Sequence, residues 1–364
     1  MGKKILVICP FPQQVAAGQR LKYEQYFNHW RSLGYEITVS SYMDMAMWDV
    51  VYSKGHYLGK IRGVIFGFFR RAFDLFRIPN YDLVYIFMWV TPFGTNIFER
   101  AVRFLAKKLI YDIEDNVMLG QKLAEQHNPN PLINFLKGAN KAKYLIRTAD
   151  HVITSSPFLN DDSLKINQNG ACTYISASIN TDRFLPVNSY NNDKPLVIGW
   201  TGTFSSVIYL DLLRGVFQRL SQSHKFKLKV IGNFDYELEG VDLEVVQWTK
   251  EREVEDLQSI DIGVYPLPLE NWVFGKSGLK AIQYMAFALP IVASPIGNTL
   301  NIIRDRENGL LAKSDEDWIR ALAELIEKPA LRKRLGEAAR KDCVAKYSIH
   351  AIANQYKGIL ESLL

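Results

Sequence analysis

The chain has little cysteine. Cys9, Cys172 and Cys343 lie far apart and form no CxxC pair. A disulfide framework or a thiolate zinc site therefore does not fit, and a reducing cytoplasm is the simplest setting. Its six histidines include no HxxxH spacing, which argues against a structural metal. No stretch reaches the roughly 18 uncharged apolar residues that a membrane span needs. The first apolar run, from Ile5 to Pro10, is too short for a secretory core and lacks a small-residue cleavage site. Dense basic runs are missing too: 44 basic and 38 acidic residues leave +6. That excess suits an anionic ligand or an anionic membrane surface and is too small to suggest nucleic acid. There is no internal repeat at 20 to 50 residues and no low-complexity tract.

What is present suits a globular protein. Apolar residues make up 48% of 364, enough for two buried cores, and charged residues 23%. Short apolar runs alternate with helical spacing. Strands are expected at 5–8, 37–40, 83–88, 109–113 and 152–155, with helices over 18–33, 98–108 and 140–149. A polar, turn-rich stretch, 186–195, reads as a linker. The pattern then restarts, with strands at 196–200, 227–232, 243–247, 260–264 and 290–293, a helix over 209–221 and mostly helix from Lys313. Wholly apolar strands between helices predict parallel sheets covered on both faces. The fold expected is α/β, with two Rossmann-like domains, 1–188 and 189–348, and a ligand between them at the strands' carboxyl ends.

The segment 58–76 reads LGKIRGVIFGFFRRAFDLF. Ile61, Val64, Ile65, Phe68, Phe69, Ala72, Phe73 and Phe76 recur at helical spacing among Lys60, Arg62, Arg70 and Arg71. One reading is a helix that touches a membrane or a lipid-linked acceptor with its aromatic face. The other is an amphipathic helix packed on the first sheet.

The most informative stretch runs from Asp261 to Asn298. A buried strand leads through a proline-containing loop to Gly275-Lys276-Ser277-Gly278 and a helix to about Ala288. A helix N-terminus offers free N–H groups and partial positive charge to phosphate, and glycine lets the ligand approach closely. Lys276, Lys280 and Gln283, spaced i, i+4 and i+7, would share one helical face. Two ammonium groups suit a diphosphate, and the amide suits ribose hydroxyls. The alternative is an exposed basic face. A P-loop is excluded, because Glu270 stands where that motif needs glycine. The loop at Gly18 likewise forms no GxGxxG after its strand, which disfavours a dinucleotide oxidoreductase.

This stretch resembles glycosyltransferase family 4, one of the families with the two-domain GT-B fold, in the branch with a GK-x-x-x-K-x-x-Q/E-Y-M-A motif. The motif stands here as Gly275, Lys276, Lys280, Gln283, Tyr284, Met285 and Ala286, followed by Pro290, Ala293, Ser294 and Gly297. Gly18–Glu24, Tyr111–Asp115, 150–156, 175–184, 199–203, 308–312 and Tyr347-Ser348 extend the likeness over nearly the whole chain. Many members carry Glu-x7-Glu, where this chain has Gly275 and Gln283. Nor does an Arg/Lys pair follow the glycine turn at Gly202, so the two lysines gain weight.

The resemblance implies a retaining, metal-independent transferase without cofactor, moving a hexose-type sugar from a nucleoside-diphosphate sugar to a glycan or lipid-linked acceptor. A uridine donor and a role in bacterial surface polysaccharide or glycolipid synthesis follow on the same ground. So does a cytoplasmic site, peripheral at the inner membrane face if 58–76 touches lipid. The C-terminal helix 349–364 would complete the first domain. Lys276, Lys280 and the Ser277–Gly278 amides would hold the leaving diphosphate. Gly18 and Arg20 would face phosphates and acceptor, and Gly202 and Thr203 would open the donor domain. Asp112, or else Asp115, would orient the acceptor hydroxyl; helix capping or a salt bridge is the competing role. Gln247 and Trp248 would meet the donor base, although Trp248 also suits a core. Two rivals stay open. One is a non-catalytic nucleotide-sugar-binding subunit, suggested by Gly275 in place of the acid. The other is a GT-B nucleotide-sugar epimerase.

Overall fold

A computed structural model describes residues 2–114, 140–187 and 195–364. Two compact units emerge. Unit 1 comprises Met1–Ser176, Gly275–Ser277 and Ile352–Leu364; unit 2 comprises Ala177–Phe274 and Gly278–Ala351. The 188/189 boundary, most of the expected linker and Asp115 lie outside the described residues.

Unit 1 holds β1 (Lys4–Cys9), β2 (Glu36–Ser41), β3 (Leu83–Phe87), β4 (Leu109–Ile113), β5 (His151–Thr154) and β6 (Cys172–Tyr174). All pair in parallel, in the order β2-β1-β3-β4-β5-β6. Every residue of β3 and β4 is buried, as expected of central parallel strands with both faces covered. Tyr356, from the helix Ile349–Leu363, stacks on Tyr26 and Trp30 with ring centroids 4.8 and 5.6 Å apart. All three side chains are buried.

The expected continuous helix over 18–33 is instead broken. It runs as Ala17–Arg20, a 3-10 turn Glu24–Tyr26, and Phe27–Ser32. Gln19 explains part of this. Its side-chain amide donates to the Phe11 carbonyl at 3.1 Å and accepts from the Phe11 N–H at 3.0 Å, tying the turn to the loop after β1.

The helix Tyr57–Arg77 corrects the packed amphipathic reading of 58–76. Its buried residues are Gly63, Gly67, Arg71 and Asp74. Its apolar side chains Ile61, Ile65, Phe69, Phe73 and Phe76 are exposed, Phe69 by 68% and Phe76 by 83%. A Cβ on Gly67 would stand 2.5 Å from the buried Tyr42 ring, so only a bare backbone fits there. Arg71 is satisfied inside, donating to the Val90 and Cys9 carbonyls at 2.8 Å each and pairing with Asp74 at 2.9 Å.

Unit 2 holds β7 (Leu196–Thr201), β8 (Phe226–Gly232), β9 (Leu243–Gln247), β10 (Ile262–Tyr265), β11 (Ile291–Ala293) and β12 (Leu310–Leu311). These too pair only in parallel, in the order β12-β11-β10-β7-β8-β9. The chain winds outward from β7 in one direction to β9, then restarts at β10 on β7's other side. In open α/β sheets, ligands bind beyond the strands' carboxyl ends at such a reversal. Trp200, Val216, Phe217, Leu220, Ile262 and Leu322 belong to the buried core of this unit.

Candidate active site

The helix Leu279–Ala286 follows β10, on one side of the reversal in unit 2. Two features fix its place. Gly263 of β10 has no side chain, and a Cβ there would stand 2.6 Å from the Tyr284 ring, so the helix lies directly on the strand. Tyr284, fully buried, also accepts a hydrogen bond from the Thr201 N–H at 3.1 Å. One bulky ring thus locks the helix to the ends of β10 and β7. Burial pushes the Tyr284 phenol well above its usual range, so it stays neutral.

Lys280 lies one turn before Tyr284, on the same helical face. Its ammonium sits 5.0 Å from the Trp200 ring centroid and 5.9 Å from that of Tyr265. The two rings come from the ends of adjacent strands, so a cation stands at the reversal itself. Cation–π attraction contributes to holding it there.

The predicted helix start moves. Asn271–Gly275 is a 3-10 helix and the α-helix begins only at Leu279, with Gly278 as its cap at φ +79°. That left-handed backbone breaks the helical register, so Lys276 does not share a face with Lys280 and Gln283 as the spacing suggested. A side chain at 278 would also be crowded, because a Cβ would stand 2.2 Å from Ile302 Cδ1, which would have to shift. Lys276 is half-buried and Ser277 buried, in the segment that groups with unit 1. Gln283 is buried within the helix.

Elsewhere in unit 2, Gly202 and Thr203 form the turn after β7. The Thr203 N–H donates to Ser206 Oγ at 3.0 Å in a capping box that starts a short 3-10 helix. Gln247, at the exposed end of edge strand β9, donates to the Phe234 carbonyl at 3.2 Å. Trp248 is half-buried, so it is not a core residue.

In unit 1, Gly18 lies against Glu114, whose Oε2 is 2.6 Å from where a Cβ would be. Arg20 is 4% exposed, so it is not a solvated surface charge. Asp112 is fully enclosed on β4. It forms an ion pair with Lys22 and accepts a hydrogen bond from the Tyr85 hydroxyl. Burial raises its carboxyl above the usual range, while Lys22 opposes the shift. Lys22 also donates to the Ile113 carbonyl at 3.1 Å. The salt-bridge role thus has direct geometric support, and the carboxylate presents no exposed surface. Lys22, Tyr85 and Trp200 were not singled out from the sequence. Their partners lie at long range in the chain, which spacing alone does not reveal.

Residues 183–342 match the family model "Glycosyl transferases group 1". Together with the two parallel α/β units, this supports a glycosyltransferase, in the EC 2.4 sense, with the GT-B fold. Among individual proteins, an uncharacterized glycosyltransferase of Methanocaldococcus jannaschii is 25% identical over 329 residues, covering 82% of this chain and 79% of that one. Sucrose-phosphate synthase of Thermosynechococcus elongatus superposes with a TM-score of 0.74 at 17% identity, covering 99% of both chains. The Anabaena protein HepE, solved with UDP-glucose, gives 0.68 at 14% identity, again covering 99% of both. No described helix is long and apolar enough to cross a membrane.

Proposed function

We propose that this chain is a retaining, metal-independent hexosyltransferase using a nucleoside-diphosphate sugar, with uridine the favoured base. The acceptor is a glycan or a lipid-linked sugar of bacterial surface polysaccharide or glycolipid synthesis. In the same reading the protein works at the inner face of the cell membrane, which 58–76 touches. The observation that carries the donor site is Lys280, held between Trp200 and Tyr265 at the strand reversal. A HepE structure containing UDP-glucose supports the uridine assignment.

In the transfer, the bond from the anomeric carbon to the diphosphate oxygen breaks and its electron pair stays on the phosphate. A bond from the acceptor oxygen to that carbon forms, and the hydroxyl proton is released. Charge therefore develops on the diphosphate, and a fixed cation there lowers the barrier. Lys280 supplies that cation, Lys276 and the Ser277–Gly278 amides add to it, and Gln283 is assigned to the ribose. Gly202 and Thr203 border the donor, and Gln247 and Trp248 meet its base. Gly18 and Arg20 are the ligand-facing residues of unit 1. Asp112 acts through Lys22 as a positioning residue, and Asp115 is the remaining candidate for orienting the acceptor hydroxyl.

The test begins with a thermal-shift screen of UDP-, GDP- and dTDP-sugars, since a ligand bound to the native state raises the melting temperature. The stabilising sugar is then incubated with candidate acceptors. Nucleoside diphosphate released only with an acceptor present supports transfer. Binding without release supports the non-catalytic subunit, which Gly275 in place of the acid keeps in view. Conversion of the donor sugar without acceptor supports an epimerase.

A further inference from the structure

The helix Tyr57–Arg77 is built inside out for a soluble α/β unit. Its inward side carries two glycines, an ion pair and the half-buried Val64, Phe68 and Leu75 packed on the core, while most of its aromatics face outward. Leu58, Ile61, Ile65, Phe69, Phe73 and Phe76 follow helical spacing and form one stripe, each at least 49% exposed. The inward residues cannot be exchanged for these. Gly67 abuts the buried Tyr42 ring, and Gly63 lies where a Cβ would meet Met47 at 2.5 Å. The outward stripe is therefore not a displaced core face.

The neighbouring helix Ile97–Leu105 shows the same habit. It touches the first helix through Phe68 and Phe98, whose rings are 5.7 Å apart. Its own Ile97 and Phe104 are 67% and 87% exposed. Exposed apolar groups of this size and number mark an interaction surface.

Charge decides the partner. The only acid of the Tyr57–Arg77 helix, Asp74, is buried against Arg71, and Glu99, the only acid of the second helix, is buried too. The exposed or half-exposed charges on these two helices are all basic: Lys60, Arg62, Arg70, Arg77, Arg100 and Arg103, of which Arg70, Arg77 and Arg103 pair with Asp44, Asp74 and Asp150. Arg62 and Arg77 lie along the rings of Phe66 and Phe73, at 5.4 and 5.8 Å. Such side chains can keep their stems with the rings and their heads at phosphate level. An apolar face whose own two helices expose cations and no acid suits an anionic bilayer better than a protein surface of mixed sign.

We propose that these two helices form one docking surface for an anionic lipid bilayer, with the Phe69/Phe73/Phe76 stripe entering the headgroup–acyl boundary. This extends the peripheral contact of 58–76 to a second helix and to a lipid charge. It rests on the surface alone and not on the transferase chemistry.

The probe is vesicle co-sedimentation of the full chain, with phosphatidylcholine alone and with phosphatidylcholine containing phosphatidylglycerol. Phe69→Glu/Phe73→Glu, Phe104→Glu and Arg62→Glu/Arg77→Glu are compared, with melting temperature and nucleotide-sugar binding recorded for each. The unaltered chain should pellet with the anionic vesicles and release at high salt. The Phe69/Phe73 pair should weaken binding by about tenfold or more, because two rings no longer leave water. The arginine pair should weaken it by about 25-fold or more, about fivefold for each of the two charges lost, and Phe104→Glu should weaken it measurably. Equal binding to neutral vesicles overturns the charge assignment. Binding untouched by Phe104→Glu overturns the second helix. No binding, or a dimer that Phe69→Glu/Phe73→Glu dissociates, overturns the proposal by assigning the face to another occupant. Donor binding retained in the non-pelleting variants keeps this failure separate from failure of the transferase reading.

Discussion

The Lys280 ammonium stands 5.0 Å from the centre of the Trp200 ring, and the two residues come from opposite sides of the strand reversal in unit 2. A cation in that position is where a nucleoside diphosphate can be met. Lys280→Ala should lower turnover by roughly 10- to 1,000-fold, as loss of one charge-stabilising donor does in other enzymes. Lys276→Ala should fall in the same range. Both are read by steady-state kinetics with saturating acceptor. Near-normal turnover in both variants would remove the site.

Asp112 offers a separation between structure and catalysis. Removing one partner from a buried ion pair costs about 3–5 kcal/mol, so Asp112→Ala should melt well below the parent. Lys22→Met/Asp112→Leu should recover much of that loss. If melting and donor affinity are preserved in Asp112→Asn while turnover collapses, the carboxylate acts on substrate and the positioning role is wrong.

Gly278 combines a left-handed backbone with a crowded Cβ site, against Ile302. Gly278→Ala should destabilise the fold by about 1–3 kcal/mol through strain and overpacking. It should also weaken nucleotide-sugar binding, because the start of the Lys280 helix must shift. Calorimetric titration beside a melting curve checks both effects.

The thiols should be inert in the native protein. Burial pushes Cys9 and Cys343 up to about 12 and half-buried Cys172 up to about 11. Thiolate is the reacting form, so a chromogenic disulfide reagent at pH 8 should titrate all three only after unfolding. Rapid native reaction of Cys9 or Cys343 would contradict the packing around β1 or the helix Leu279–Ala286.

Much of the fold was legible because parallel strands announce themselves as short apolar runs. Leu109–Ile113 and Leu243–Gln247 coincide with β4 and β9 residue for residue. The strands β6 and β12 were missed; they are only three and two residues long, too short for periodicity to register. The site was legible as a place and not as a geometry. Lys280 follows from its motif, but the glycine that starts its helix at Leu279 was read as part of that helix. Its aromatic seat, Trp200, lies 80 residues earlier in the chain, and only the sheet brings the two together. The helix Tyr57–Arg77 shows a limit of another kind. Its spacing announces an apolar stripe whichever way it faces. The inward glycines, Gly63 and Gly67, are the residues that record its orientation.

Tyr356, stacked on Tyr26 and Trp30, bears on how the protein is made. Unit 1 is finished by Ile352–Leu364, which leave the ribosome only after all of unit 2. The aromatic wall of Tyr26 and Trp30 must wait, uncovered, through most of synthesis. Unit 2 has no such debt to later sequence beyond Ala351 and is free to fold first. The order of folding is therefore expected to run against the order of translation. A nascent chain stalled before residue 352 should resist protease in unit 2 while remaining open in unit 1.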